Sequence, residues 1–336
     1  MKKNHEYKLA VIGGDARQLI AASEFRAAGY DVSLYGFDKN DTPSTNAGTH
    51  VSVVDSLCCS SSSAGLHELL HNLADGTVSD CGKVCKTAEE AVFGSDAVIL
   101  PLPVSSDGEH ISMPLADGCK LTIEKLCTMM SNNGTMLLCG GKLPKKAVSL
   151  CEAYGISVFD YYERDEFAIA NAVPTAEGAI EIAMHETPTT INESKALVIG
   201  YGRIGKVLAR LLDSLGARVT VSARKASDLA WIRAYGYDVA VTQKLAQVLS
   251  EQKFDMIFNT VPHKVLGKGE LEAIGKHGLI IDLASKPGGV DITAAEELGM
   301  NIIWALSLPG KVAPVTSGRI IADTVLACLE KYTEGD

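Results

Sequence analysis

The sequence predicts an α/β protein of two doubly wound parallel-sheet domains joined by a bridging helix, and three observations carry that expectation. Short apolar runs alternate with helical spacing over nearly all of its 336 residues, as parallel βαβ units require. A glycine-rich turn, Gly200-Tyr-Gly-Arg-Ile-Gly205, falls between one such run and one such helix. Between the two series lies a stretch over 165–185 of helical composition, dense in small residues. The expected boundaries are 1–164 for a flavodoxin-like or Rossmann-like first domain, 165–190 for the bridge and linker, 191–310 for a Rossmann domain, and 311–336 for a closing loop and helix.

With 46% hydrophobic and 21% charged residues, the chain can bury two separate cores. A net charge of -10 and a pI near 5.3 leave no basic stripe for nucleic acid or an anionic membrane. No apolar run approaches the roughly 20 residues of a membrane span. The opening Met1 to Lys8 runs straight into a strand, without the apolar segment of a signal peptide, so a cytoplasmic location is expected. Nine cysteines without a C-x-x-C spacing read as small buried hydrophobes, Cys139 and Cys151 among them, with no disulfide and no structural zinc.

In chain order, the first domain reads as a strand over 8–12, a turn over 13–17, a helix over 18–28 closed by Gly29, and a strand over 31–35. Helices over 87–93, 121–130 and 144–154 then alternate with strands over 97–100, 135–139 and 157–160. Gly13 and Gly14 lack the G-x-G-x-x-G spacing and read as a substrate-side loop, with Asp15 capping the next helix and Arg17 in its first turn. Residues 60–63, four serines, read as an irregular loop. His67-Glu-Leu-Leu-His71 matches H-E-x-x-H, which places two histidines on one helix face as zinc peptidases do. Its third ligand would have to be Glu89 or Glu90, on a helix that the α/β repeat already uses. The motif therefore reads as a solvated helix face, and no metal is expected.

The bridge is expected to break at Pro174 before the second domain begins. There Ala196 to Ile199 suits a buried parallel strand, and Ile204, Val207, Leu208, Leu211 and Leu212 share one side of a helix. The strand passes into the helix through three glycines. Gly200 permits the tight turn, Gly202 lets backbone approach a pyrophosphate, and Gly205 lets helix and strand pack closely. Arg203 and Ile204 open a helix whose free amides and dipole favour an anion. A second strand over 218–222 completes the context for dinucleotide binding. Where an NAD-selective site carries Asp or Glu, this chain has Ser222-Ala-Arg224-Lys225. A hydroxyl and two cations suit a 2′-phosphate, so NADP(H) is expected over NAD(H). Strands over 256–259, 279–283 and 301–305 and helices over 227–235, 244–250, 271–275 and 293–298 follow. Thr260, Val261 and Pro262, at the end of the first of these strands, are counted with the cofactor-binding residues. A last amphipathic helix over 317–332 is of the kind that often returns to the first domain in two-domain dehydrogenases.

Seven stretches are distinctive in combination: Val11-Ile-Gly-Gly-Asp-Ala-Arg-Gln18, Pro101-Leu-Pro103, Asn171-Ala-Val-Pro-Thr-Ala-Glu-Gly178, Val198-Ile-Gly-Tyr-Gly-Arg-Ile-Gly205, Asn259-Thr-Val-Pro262, Ile281-Asp-Leu-Ala-Ser-Lys-Pro-Gly-Gly289 and Leu308-Pro-Gly-Lys-Val-Ala-Pro-Val-Thr-Ser317. Carrying them over its full length, the chain resembles the A subunits of dipicolinate synthase from endospore-forming bacteria. Asn-Thr-Val-Pro and the glycine turn alone also fit hydroxyacid-dehydrogenase and S-adenosylhomocysteine-hydrolase relatives.

The resemblance implies the last step of dipicolinate synthesis in the mother cell, and a partner in the form of a flavoprotein-like B subunit. The implied chemistry is oxidation of a dihydrodipicolinate ring to aromatic dipicolinate with NADP⁺ as hydride acceptor, helped mainly by positioning. Such a dicarboxylate needs cations or amides near each carboxylate. Candidates are Gly13, Gly14, Asp15 and Arg17; Lys286 with the Gly288 and Gly289 amides; and Lys311 with Ser317. All lie in turns that follow strands, and the carboxylates are expected to reach the first domain's turn across a cleft. His263 is the candidate base, since imidazole titrates near neutral pH, and Arg17 is the second candidate catalytic residue. His185 and proton loss to solvent are the alternatives to His263. A D-2-hydroxyacid- or alanine-type dehydrogenase, or a non-catalytic NADPH-binding subunit that organises a partner, would share this architecture, and a homo-oligomer stays open.

Overall fold

The computed structural model describes residues 7–37, 81–116, 118 and 120–334, and these fall into two compact units. The first holds the described residues up to Ala170 and those from Ala313 onward, and the second runs from Asn171 to Val312. Residues 60–63 and 67–71, the serine run and the H-E-x-x-H motif, lie outside the described residues.

In the first unit, β1 (Lys8–Ile12), α1 (Ala16–Ala27), β2 (Asp31–Tyr35) and the short β3 (Lys83–Val84) are followed by α2 (Ala88–Val92), β4 (Ala97–Ile99), α3 (Ile123–Asn133), β5 (Leu137–Gly140), α4 (Lys145–Ala153) and β6 (Ser157–Asp160). Its described sheet is parallel, in the order β3-β2-β1-β4-β5-β6. That is the Rossmann order rather than the flavodoxin one. Leu9, Val11, Val32, Leu34 and Ile99 join one apolar layer, while Ala10, Ile12, Val98 and Leu138 join the other. Alternate strand residues thus feed opposite faces, and both are covered.

α5 (Asp165–Glu186) is a single helix of 22 residues with Pro174 inside it, where a break was expected. Proline withholds only the bond to the carbonyl four residues back, here Ala170, the last residue of the first unit. Next to it the Thr175 hydroxyl donates to the Asn171 carbonyl at 2.8 Å.

The second unit continues with β7 (Lys195–Ile199), α6 (Arg203–Ser214), β8 (Arg218–Ala223), α7 (Ala226–Ala234), β9 (Asp238–Val241), α8 (Leu245–Glu251), β10 (Met256–Asn259), α9 (Lys268–Ile274), β11 (Leu279–Asp282), α10 (Ile292–Glu297), β12 (Ile302–Trp304) and α11 (Leu308–Val312). The sheet order β12-β11-β10-β7-β8-β9 is again 3-2-1-4-5-6 counted within the unit. β9 was not expected. It is a four-residue edge strand, Asp-Val-Ala-Val, with one fully buried position, Ala240, so its apolar run is only three residues long.

α12 (Pro314–Glu334) belongs to the first unit. It lies against α1 so closely that a Cβ on Gly318 would stand 2.6 Å from the Ile20 Cβ and 2.7 Å from the Arg17 carbonyl. Ile321, Ala322, Val325 and Leu329 join the same apolar layer as Phe25 and Leu34. Among the described cysteines, Cys81, Cys85, Cys127, Cys139 and Cys151 are buried and Cys328 is half-buried, none of them in a disulfide.

Candidate active site

The second unit builds its site at the carboxyl ends of β7, β10 and β11. Gly200 has φ +100°, and a Cβ there would lie 2.5 Å from the Thr260 Oγ1, so the position excludes any side chain twice over. A Cβ on Gly205 would collide with the Gly200 carbonyl, whereas one on Gly202 would meet nothing within 4 Å. The outer two glycines are therefore filled by protein, and the middle one faces open space at the N-terminus of the 12-residue α6, which has no acidic residue in its first turn. Free amides, a positive dipole end and an open approach fit a dinucleotide pyrophosphate. Arg203 is exposed beside it, and Ile204 packs on the core.

At the end of β8 the expected set divides. Arg224 and Lys225 are exposed. Ser222 is fully buried, and its hydroxyl is 2.9 Å from the Thr242 Oγ1. That hydroxyl faces inward because strand side chains alternate, so Ser222 contributes to the sheet rather than to a cofactor pocket.

Thr260 ties β10 to β7, its Oγ1 and its amide both donating to the Ile199 carbonyl at 2.9 Å. The residues that hold this end of the sheet are Asn259 and Asp282, which face each other in register. The Asn259 Nδ2 donates to the Asp282 Oδ1 at 2.8 Å and to the Val261 carbonyl at 3.0 Å, and the Asn259 Oδ1 accepts from the Val261 amide. Asp282, 1% exposed, also accepts the Ala284 and Gly289 amides at 3.0 and 2.8 Å. This pair was not singled out in the sequence. Its signal was a polar residue closing each of two neighbouring apolar strands.

The same network changes the parts expected of the following loop. The Gly289 amide is spent on Asp282 and the Gly288 amide on the Ser285 carbonyl at 2.9 Å, so both glycines shape the loop and offer no amide to a substrate. Lys286 stays exposed between them and the strand. Pro262 and His263 are exposed past β10, Val261 is half-buried, and His263 has no hydrogen-bond partner among the described residues. His185 sits in the last turn of α5, exposed and 3.1 Å from the Glu186 carboxylate. It lines a pocket with Leu211, Ser214 and Leu215, at the end of α6 opposite the glycine turn. Lys311 is half-buried on α11 of this unit. Ser317 is 1% exposed within α12, in the first unit.

In the first unit, Gly13 and Gly14 have φ +67° and +108°, and their amides donate to the Tyr35 and Ser112 carbonyls at 2.8 and 2.9 Å. They too are unavailable to a substrate carboxylate. Asp15 caps α1 as expected, accepting the Arg17 amide at 3.0 Å. The Arg17 guanidinium is committed: Nε and Nη2 donate to Asp15 at 2.9 and 2.8 Å, and Nη2 also reaches the Leu102 carbonyl at 2.6 Å. Burial opposes its charge, but the Asp15 carboxylate outweighs that and raises its pKa. Arg17 is thereby a clamp between the ends of β1 and β4, which accounts for its low exposure better than an open substrate anchor would. Tyr161, fully buried and pushed up in pKa by that burial, donates to the Leu100 carbonyl at 3.0 Å beside it.

No group of three or more metal-ligating side chains occurs among the described residues, and no described helix is long and apolar enough to cross a membrane. Residues 8–60 match the family model of the N-terminal domain of the dipicolinate synthase A subunit. Residues 171–289 match that of the D-isomer specific 2-hydroxyacid dehydrogenase NAD binding domain. The dipicolinate synthase A subunit of Bacillus subtilis (strain 168) is 32% identical over 320 residues, covering 95% of this chain and 94% of that protein. The crystal structure of the Bacillus subtilis protein superposes with a TM-score of 0.79 at 28% identity, over 100% of this chain and 99% of that one. The crystal structure of its Bacillus halodurans counterpart gives 0.77 at 28%, over 98% and 99%.

Proposed function

The chain belongs to the family of dipicolinate synthase A subunits, and from that premise we propose that it oxidises a dihydrodipicolinate ring to dipicolinate with NADP⁺, in the mother-cell cytoplasm of a sporulating bacterium. The observation that carries the reading is the Gly200–Gly205 turn, closed by protein at both ends and open at Gly202. The dinucleotide, when bound, supplies the hydride acceptor. Gly202 and the first amides of α6 hold its pyrophosphate, and Arg224 and Lys225 hold the 2′-phosphate that distinguishes NADP from NAD. Asn259 and Asp282 fix the Thr260–Pro262 turn, so that His263 stands beyond the strand end with its imidazole free to take a proton at Nδ1 or Nε2. Lys286, the one cation of the β11 loop, pairs with a substrate carboxylate.

A flavoprotein-like B subunit is the expected partner. The test is an assay of the purified chain with and without that partner, on freshly made product of the dihydrodipicolinate pathway, following NADPH absorbance. A rise in absorbance supports the reading. The match of residues 171–289 to the 2-hydroxyacid dehydrogenase model favours a second one, a D-2-hydroxyacid-type dehydrogenase. Turnover of 2-keto acids in place of the dihydrodipicolinate would replace the first reading with the second.

A further inference from the structure

Around the first unit's Gly13–Gly14 turn, the glycine amides, Asp15, Arg17 and Tyr161 all have partners inside the protein. Gln18 does not. It is 1% exposed, and neither its Nε2 nor its Oε1 has a hydrogen-bond partner among the described residues, although buried side-chain polar atoms are nearly always paired. Asp15-x-x-Gln18 even has the spacing of a capping box, in which the glutamine would reach back to the cap's own amide, and that bond is not made.

The side chain is instead directed past the cap. Helical side chains lean toward the helix N-terminus, and the stem of Gln18 does so. A Cβ on Gly14 would run into the Gln18 Cγ, 2.9 Å from the Gln18 Cβ and 3.1 Å from the Pro101 Cβ. The stem of Gln18 thus lies over Gly14 and beside Pro101, at the carboxyl ends of β1 and β4, the end of an open parallel sheet where ligands bind. α1 has no acidic residue in its first turn, and the charge of its Asp15 cap is balanced by Arg17, so an anion meets no net repulsion there.

We propose that the Gln18 carboxamide is a ligand-binding group, its Nε2 donating to a carboxylate of a small dicarboxylate and its Oε1 accepting from a hydrogen-bond donor beside that carboxylate. The choice of a dicarboxylate rests on the proposed function, whereas the need for a ligand bearing both an acceptor and a donor comes from the amide itself. Shielded from bulk water, such an amide discriminates strongly, because a ligand lacking either group leaves it unpaired.

The test titrates the full chain with pyridine-2,6-dicarboxylate and piperidine-2,6-dicarboxylate by calorimetry, with thermal melts alongside, for the unaltered protein, Gln18→Met and Gln18→Glu. Without ligand, Gln18→Met is expected to melt at or above the unaltered protein, since an apolar side chain of similar shape relieves an unpaired buried amide. Both variants are expected to bind the dicarboxylates at least about tenfold more weakly, with NADPH affinity unchanged. Dicarboxylate binding within about twofold of the unaltered protein in both variants overturns the proposal. So does a lower melting temperature of ligand-free Gln18→Met, which would mean that an enclosed water or other internal partner holds the amide. Failure of the unaltered protein to bind either dicarboxylate overturns it as well. Turnover of dihydrodipicolinate on the same preparation separates that result from failure of the proposed function.

Discussion

At the scale of single residues, Arg224, Asp282 and Arg17 play different parts, and three substitutions separate them. Arg224→Ala removes an exposed cation from the end of β8. It is expected to weaken NADPH binding by about 1.5–3 kcal/mol, the value of a charge-assisted contact, while leaving NADH nearly unchanged. Equal loss for both cofactors, read by fluorescence titration, would remove the 2′-phosphate assignment. Asp282→Ala leaves the Ala284 and Gly289 amides and the Asn259 amide without their acceptor, a loss of about 3 kcal/mol or more in denaturant unfolding. Arg17→Ala breaks the bonds to Asp15 and Leu102. It should lower the melting temperature along with turnover, since about 2 kcal/mol of charged hydrogen bonding goes with it. Lost turnover at an unchanged melt would instead mark Arg17 as a direct substrate contact. In sequence Arg17 and Ser222 look like free polar groups at strand ends, because sequence shows residue type and periodicity but not the third partner. Leu102 lies 85 residues from Arg17 and Thr242 lies 20 from Ser222.

At the scale of elements, the strand-turn-helix at Gly200–Gly205 was legible because each glycine answers a separate steric demand that the G-x-G-x-x-G spacing encodes. Gly205→Ala is expected to force the Gly200 carbonyl away and lower stability, visible as a reduced unfolding midpoint; a midpoint equal to that of the unaltered chain would mean that the close helix–strand contact is not present. α5 was legible as a helix but not as an unbroken one, since proline reads as a stop while a long helix tolerates the loss of one bond. β9 went unread because an edge strand needs few buried positions. The Asn259–Asp282 pair went unread because strand register, which brings the two side chains together, is a property of the sheet and not of either segment.

For the whole molecule, composition and alternation gave two α/β units, and the two sheets have the same 3-2-1-4-5-6 order. The return of α12 to the first unit was open in the sequence, because an amphipathic helix carries no address. Its seat on α1 depends on Gly318. Gly318→Val is therefore expected to lower the melting temperature while NADPH affinity, set by the second unit, holds; an unchanged melt would show that the helix does not sit there. The second unit is expected to take NADP(H) at the open glycine. Titration of the full chain and of Gly202→Val with NADPH and NADH, beside thermal melts, tests it most directly. The expected result is tighter NADPH than NADH binding in the unaltered chain, and loss of both in a Gly202→Val protein that melts normally, since a Cβ there meets no protein atom within 4 Å. Retained cofactor binding by Gly202→Val would mean that the dinucleotide does not lie at this glycine.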